Sequence, residues 1–316
     1  MSNENDRPRA KARESDGKYI AWTVVLVVVM VLVGVLLPLR ERKGLWIWSW
    51  IINLVLMFVV MGTVSLSVGA KGGFGAMFVD SRNMVSLSRF QVVLWTLVVL
   101  SAFWTIGLAR AGDSAFGWGN GAYKCEPPEA VSPSTAPLEQ GDVTETGEEA
   151  PKEVTCAAPL DIQLPEILWA LMGISVTSAV ASPLIKENNR RRTQPDQDRY
   201  DETLRKTLKV ERTEDAEFGT DGAVVFRNEG YPARFSDMFR GEDPKSLKYV
   251  DIAKVQNFFF TVVSVVTYAV ALGAAIASAE SIFALFQFPD VSEGLLAVLG
   301  ISHAGYLVTK TTISST

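Results

Sequence analysis

The feature that most limits what this chain can become is the gathering of its charges between long uncharged runs. Residues 19–39, 45–70 and 90–109 contain no Asp, Glu, Lys or Arg, and the same holds for 167–185, 255–279 and the shorter 294–309. A helix needs roughly 20 apolar residues to cross the hydrocarbon, because every backbone group must bond within its own segment there. Charged residues make up 21% of the chain with a formal net charge of only -5, so the runs reflect segregation of charge and not its scarcity. The expected fold class is an all-α integral membrane protein with six transmembrane helices. The last run is short, but Glu293 and Lys310 at its ends can reach the interface.

The distribution of Lys and Arg near helix ends predicts the orientation. Arg7, Arg9, Lys11, Arg13 and Lys18 precede the first run, and Lys186 with Arg190, Arg191 and Arg192 follow the fourth, which places both regions in the cytoplasm. Residues 111–163 carry two cations against ten carboxylates and belong outside. Arg40, Arg42 and Lys43 run against this scheme, but the reverse orientation would bring the acidic loop and both cysteines inside. The N-terminus is not a secretory signal, since a polar, charged stretch precedes a run too long for a signal core. Both termini are then cytoplasmic. The acidic insert is rich in Pro, Glu, Thr and Ser and is expected to be disordered in its middle. Cys125 and Cys156, the only cysteines, bracket it on the oxidising side, which predicts a disulfide worth ~3 to 4 kcal/mol by chain entropy.

An internal repeat organises the second half. Glu166, Gly173 and Ser175 recur as Glu293, Gly300 and Ser302, and Arg89, Gln91 and Thr96 recur as Lys254, Gln256 and Thr261 at the same spacing. The chain divides on this basis into a tail at 1–18, two accessory helices at 19–70, a first hairpin at 86–185, a cytoplasmic segment or subdomain at 186–250 and a second hairpin at 251–316. The two hairpins run in parallel orientation, as repeats related by a pseudo-twofold along the membrane normal do in some transporters. Small residues every fourth position, at Gly173, Thr177 and Ala181, or Gly300 and Ala304, read first as helix-packing signals.

Other stretches carry less chemistry. Gly69, Gly72, Gly73 and Gly75 form an inner connector without the Lys-Ser/Thr of a phosphate loop. Trp46, Trp48 and Trp50 suit an interfacial anchor. In 186–250 the pattern predicts a helix over 200–212, a hairpin turning at 228–230, and Phe235, Met238 and Phe239 on one helical face, interfacial or packed in the subdomain. Cations there are matched by acids, so nucleic-acid binding is not expected. Two thiols with no nearby histidine do not make a metal site, and no cofactor is expected.

His303, the only histidine, is a functional candidate by its place inside an apolar run, and its plainer role is a neutral imidazole bonded to a neighbouring helix. With Ser175, Ser178, Thr261, Ser264, Thr267 and Ser302 it would line a pathway between the repeats. Six spans, Gly-x-Ser in the fourth and His in the sixth also resemble the layout of rhomboid intramembrane serine proteases, which implies a Ser175–His303 dyad. Val176 stands where that family has Gly, and the second run offers only Asn53 in place of its His-x-x-x-Asn. The strings around Ser86 to Gln91, Val255 to Thr261 and Leu299 to Leu307 resemble a group of bacterial polytopic inner-membrane proteins. That resemblance implies a location in the bacterial inner membrane and no activity.

The leading expectation is an ion or small-solute pathway. The alternative is a membrane scaffold or sensor acting through its cytoplasmic segment, and the third is the rhomboid-like protease; an enzyme is not the leading reading. Expected partners are the lipid bilayer, a second copy of the chain and a cytoplasmic protein. A pathway needs its polar residues to face water, whereas a scaffold buries them in helix contacts.

Overall fold

The computed structural model describes residues 6–37, 45–67, 73–116, 162–210, 216–279 and 287–311. Cys125, Cys156 and nearly all of the acidic insert lie outside the described residues, as do Gly69 and Gly72. The apolar runs form helices α1 (Asp6–Leu36), α2 (Leu45–Ser67), α3 (Leu87–Phe116), α4 (Glu166–Thr193), α6 (Ile252–Ser278) and α7 (Glu293–Thr311). Between α4 and α6 come α5 (Gln197–Leu208) and the strands β1 (Phe218–Asp221) and β2 (Val224–Arg227). The chain is mostly helical, and five helices are long and apolar enough to cross a membrane. The apolar part of α7, Glu293–Val308, is shorter.

Local chemistry sets the helix ends. Glu166 and Glu293 stand in the first turns of α4 and α7, against the positive end of each helix dipole. Asp251 caps α6, its carboxylate accepting from the Lys254 N–H. α4 runs through Pro183 without ending, so Lys186 to Arg192 are a helical extension of the fourth run.

α3 is the central helix. Of its apolar stretch 61% is buried, against 11% for that of α1, whose Trp22, Val24 and Val25 face outward. α3 packs on α1, α2, α4 and α6, while α7 packs on α4 and α6. Trp50, Trp95, Tyr268, Leu168, Leu272 and Phe288 share the apolar core of the bundle, with the rings of Trp95 and Tyr268 5.8 Å apart.

The arrangement of the two hairpins corrects the expected symmetry. α3 lies beside α6 and α4 beside α7, so the hairpins stand side by side in the same sense. A twofold along the membrane normal would instead place α3 beside α7 and α4 beside α6. The segments leading into α4 and α7 follow the same rule: Gln163 and Gln287 form a parallel bridge, and the Phe288 N–H donates to the Gln163 carbonyl at 3.0 Å. Those segments read Gln163-Leu-Pro-Glu166 and Gln287-Phe-Pro-Asp290, a repeat signal that the sequence reading missed. Nor are the repeated glycines close-packing sites. A methyl at Gly173 would meet nothing within 4 Å, and one at Gly300 would only touch Ile174 at 3.9 Å.

The polar end of the bundle carries a small subdomain. β1 and β2 form an antiparallel hairpin turning at Gly222, whose φ of 60° suits a tight turn. A turn does form at 228–230, the Tyr231 N–H donating to the Asn228 carbonyl at 3.0 Å, but no hairpin is built on it: β2 pairs with the preceding segment, not the following one. α5 begins earlier than expected and ends at Leu208, where Lys209 takes a left-handed conformation (φ 59°) and donates its N–H to the Arg205 carbonyl. Leu204, Phe218, Val225 and Leu247 pack with Met84. Met84 comes from the connector between α2 and α3, so that connector is part of the subdomain. From Gly73 onward it holds a 3-10 turn at Gly73–Phe78 and a bridge between Val79 and Val85. A side chain at Gly62 of α2 would run into the Phe74 ring of that turn. Met238 is buried with Leu87 and Tyr306, while Phe235 is 56% exposed and packs edge-on to Phe90 and Phe258. Of the two expectations for this aromatic segment, packing is what these contacts show.

Candidate functional site

Where the subdomain meets the bundle, one carboxylate gathers four cations from four elements. Glu242 Oε1 lies 3.0 Å from Lys254 Nζ of α6, 3.3 Å from Lys310 Nζ of α7, 3.9 Å from Lys186 Nζ of α4 and 3.9 Å from Arg82 Nη2 of the connector. Asp80 completes the group, 3.0 Å from Arg82 Nε and 2.9 Å from Lys186 Nζ. Further bonds fix three of the cations: Lys254 donates to the Arg240 carbonyl at 2.7 Å, Lys310 donates to Ser182 and sits 4.2 Å above the Tyr306 ring, and Arg82 reaches the Val225 carbonyl. The Lys254 and Lys310 side chains are 5% and 2% exposed. A cavity of about 230 Å³ opens beside Glu242. Asp243 and Asp251 also line it, but their carboxylates accept backbone N–H groups of Ser246 and Lys254.

Burial alone would push the Glu242 carboxyl up, but Lys186, Lys254 and Lys310 outweigh it and hold the group well below the usual carboxylate range. Asp80 is lowered in the same way, with Arg82 and Lys186 outweighing its burial. Burial would lower Arg82, and Asp80 with Glu242 more than reverses that. Carboxyls depressed in the folded state contribute stability that is complete above their unfolded values, 3.8 and 4.5, and that is lost as pH falls below them.

The sequence-predicted residues fall elsewhere, within the bundle. Ser178 Oγ and His303 Nδ1 are buried and 2.7 Å apart. Gln91 Nε2 donates to Thr261 Oγ1 at 2.8 Å, Ser264 bonds back to the Phe260 carbonyl at 2.6 Å, and Ser302 donates to Asn257 Oδ1 at 3.4 Å. Ser175 is buried, and Thr267 is exposed on the outside of the bundle. None of the seven lines the cavity beside Glu242 or the larger groove near α4. Of the repeat residues, Gln91 and Lys254 are buried while Arg89 and Gln256 are exposed, so equivalent positions do different things.

A protease dyad of Ser175 and His303 is not formed, because the histidine pairs with Ser178, one helical turn further on. Asn53, the oxyanion candidate, instead donates to Thr105 at 3.1 Å. Among the described residues no three His, Cys, Asp or Glu side chains converge as a metal shell would.

No match is found. Comparison with protein-family models, with curated proteins and with solved structures returns none for this chain.

The sequence reading missed Asp80, Arg82 and Glu242 altogether. Part of the pattern was legible: Ser175, Ser178 and Ser182 on α4 and His303, Tyr306 and Lys310 on α7 each fall at i, i+3, i+7, the spacing of one helical face. Those faces meet where α4 packs on α7, and Asn189 extends the contact by donating to the Lys310 carbonyl at 2.9 Å.

Proposed function

We propose that this chain is a six-span membrane scaffold or sensor whose subdomain is latched to the bundle through Glu242. The observation that carries the reading is the convergence of Arg82, Lys186, Lys254 and Lys310 on that one carboxylate. Buried ion pairs are poor stabilisers when weighed against apolar packing, but they punish misplacement heavily. Here the carboxylate comes from the subdomain and three of the cations come from separate helices. A partner or ligand that shifted the subdomain would therefore shift α4, α6 and α7 against one another, and the reverse would hold equally.

The state of the polar residues supports the scaffold over the pathway. Ser178, His303, Thr261 and Ser302 bond across helices, and Ser264 bonds along its own. α7 counts as the sixth span in this reading, and the charge distribution favours the subdomain and both termini in the cytoplasm of a bacterial cell. A second copy and a cytoplasmic protein remain the partner classes proposed.

One observation favours a pathway instead. Gln91 Oε1 and Asn257 Nδ2 are buried without a hydrogen-bond partner among the described residues, a pattern that water or a permeating species would relieve. Proteoliposomes separate the two readings. Purified protein is expected to leave vesicles no more permeable to protons, potassium or chloride than protein-free vesicles. Flux above that background, lost on Gln91→Leu, would replace the scaffold with a pathway.

A further inference from the structure

We infer that the groove between the start of α3 and the end of α4 binds a phosphate-bearing anion, with the head group of an anionic phospholipid as the source its position favours. The groove encloses about 480 Å³ and shares Lys186 and Val224 with the cavity beside Glu242. Four cations line it: Arg82 and Lys186, which are largely buried, and Arg89 and Arg190.

The acids of the groove are already engaged. Asp80 is held by Arg82 and Lys186, Asp221 by Arg190 at 3.0 Å, and Glu187 by Arg190 at 3.1 Å and by Arg191 at 2.7 Å. Arg89 is the cation left over. It is exposed, and it has no ion pair or hydrogen bond among the described residues. A guanidinium facing a cavity with its donors free is suited to phosphate, which it can meet with two parallel N–H bonds. Ser86, buried on the same wall, adds a hydroxyl.

Position distinguishes the head group from a soluble phosphate. Arg89 stands in the first turn of α3, at the edge of an apolar stretch that begins at Leu87. Ala179 and Pro183 carry the groove onto α4, where the neighbouring Leu184 is 66% exposed. The groove therefore reaches from the polar end of the bundle onto a surface that lipid chains cover if α3 and α4 cross the membrane. Basic pockets between helices at that depth suit phosphorylated lipid head groups. The inference holds for a scaffold or a pathway alike, since it needs only those two spans.

The test uses the purified full chain in detergent, with lipid retention read by native mass spectrometry and stability read by thermal unfolding. Phosphatidylglycerol, phosphatidylcholine and inorganic phosphate are the probes. Arg89→Gln removes the free cation, and Arg199→Gln on exposed α5 makes the same change of charge away from the groove. Wild type is expected to retain phosphatidylglycerol over phosphatidylcholine. Arg89→Gln should reduce that retention about fivefold, the ~1 kcal/mol of one basic residue near an anionic lipid, while Arg199→Gln leaves it unchanged. Stabilisation of wild type but not Arg89→Gln by inorganic phosphate, without preference between lipids, would support the phosphate site and assign its source to a soluble ligand. Equal retention of both lipids with no protection by phosphate would overturn the inference. So would equal losses in the two variants.

Discussion

Replacing Glu242 with glutamine is expected to destabilise the protein by roughly 3 kcal/mol, the low end for removing one partner of a buried ion pair because the side chain is 21% exposed. The cause is the cluster left behind. Four cations now face two carboxylates, a balance of +2, and the substitution raises it to +3 with three of the cations on helices that must stay together. Thermal unfolding in detergent checks the magnitude, and limited proteolysis within 216–250 checks the mechanism, since the subdomain should become easier to cut. The pH dependence gives a second reading of the same group. In wild type the Glu242 share of stability should be complete above its unfolded value of 4.5 and be lost as pH falls below it, whereas the glutamine variant lacks that share at every pH. An unchanged acid limb in the variant would mean that Glu242 contributes nothing as a charge.

The second large effect is expected inside the subdomain. Arg227 on β2 is completely buried and meets Asp237 through Nε at 3.1 Å and through a second guanidinium nitrogen, while also bonding Glu217 and stacking 4.6 Å above the Phe218 ring. Arg227→Gln would leave Asp237, whose side chain is 0% exposed, with only the Arg234 backbone N–H at 2.8 Å and Arg240 Nε at 3.7 Å, and is expected to cost roughly 3 kcal/mol. Hydrogen exchange is the measurement to make. Faster exchange confined to the subdomain would match this account, and faster exchange in α4 and α7 as well would show how far the latch transmits the damage. Exchange indistinguishable from wild type would contradict the structural role given to Arg227.

These two residues show what the sequence could and could not disclose. The helices were legible because membrane insertion is written in consecutive residues: the uncharged runs at 45–70 and 255–279 became α2 and α6, Leu45–Ser67 and Ile252–Ser278, with little change. Helical faces were legible in part, since Ser178 and His303 stand on stripes with ordinary i, i+3, i+7 spacing. The latch was not, because its members at positions 80, 82, 186, 242, 254 and 310 come from five stretches of the chain, each of which reads locally as a solvated charge. The balance of acids and bases in 186–250 argued against nucleic acid but did not say which charges pair, and Glu242 and Arg227 are drawn into contacts that only the folded chain creates. The hairpin register was missed for a different reason. Asn228-Glu-Gly230 has turn chemistry, but the Gly222-Ala223 turn places Phe218 and Val225 in the same core.

A scaffold keeps the interior of the bundle dry, and water access in the middle of the bundle tests this most directly. Single cysteines would replace Ser178 and Thr261 in a background where Cys125 and Cys156 are serine, with Lys206 of exposed α5 replaced as a control. A small charged thiol reagent is then applied to opened membranes. The account predicts rapid labelling at position 206 and none at 178 or 261. Labelling at both buried positions at a rate comparable to the control would contradict it, and would mean that water fills the space between α3, α4, α6 and α7.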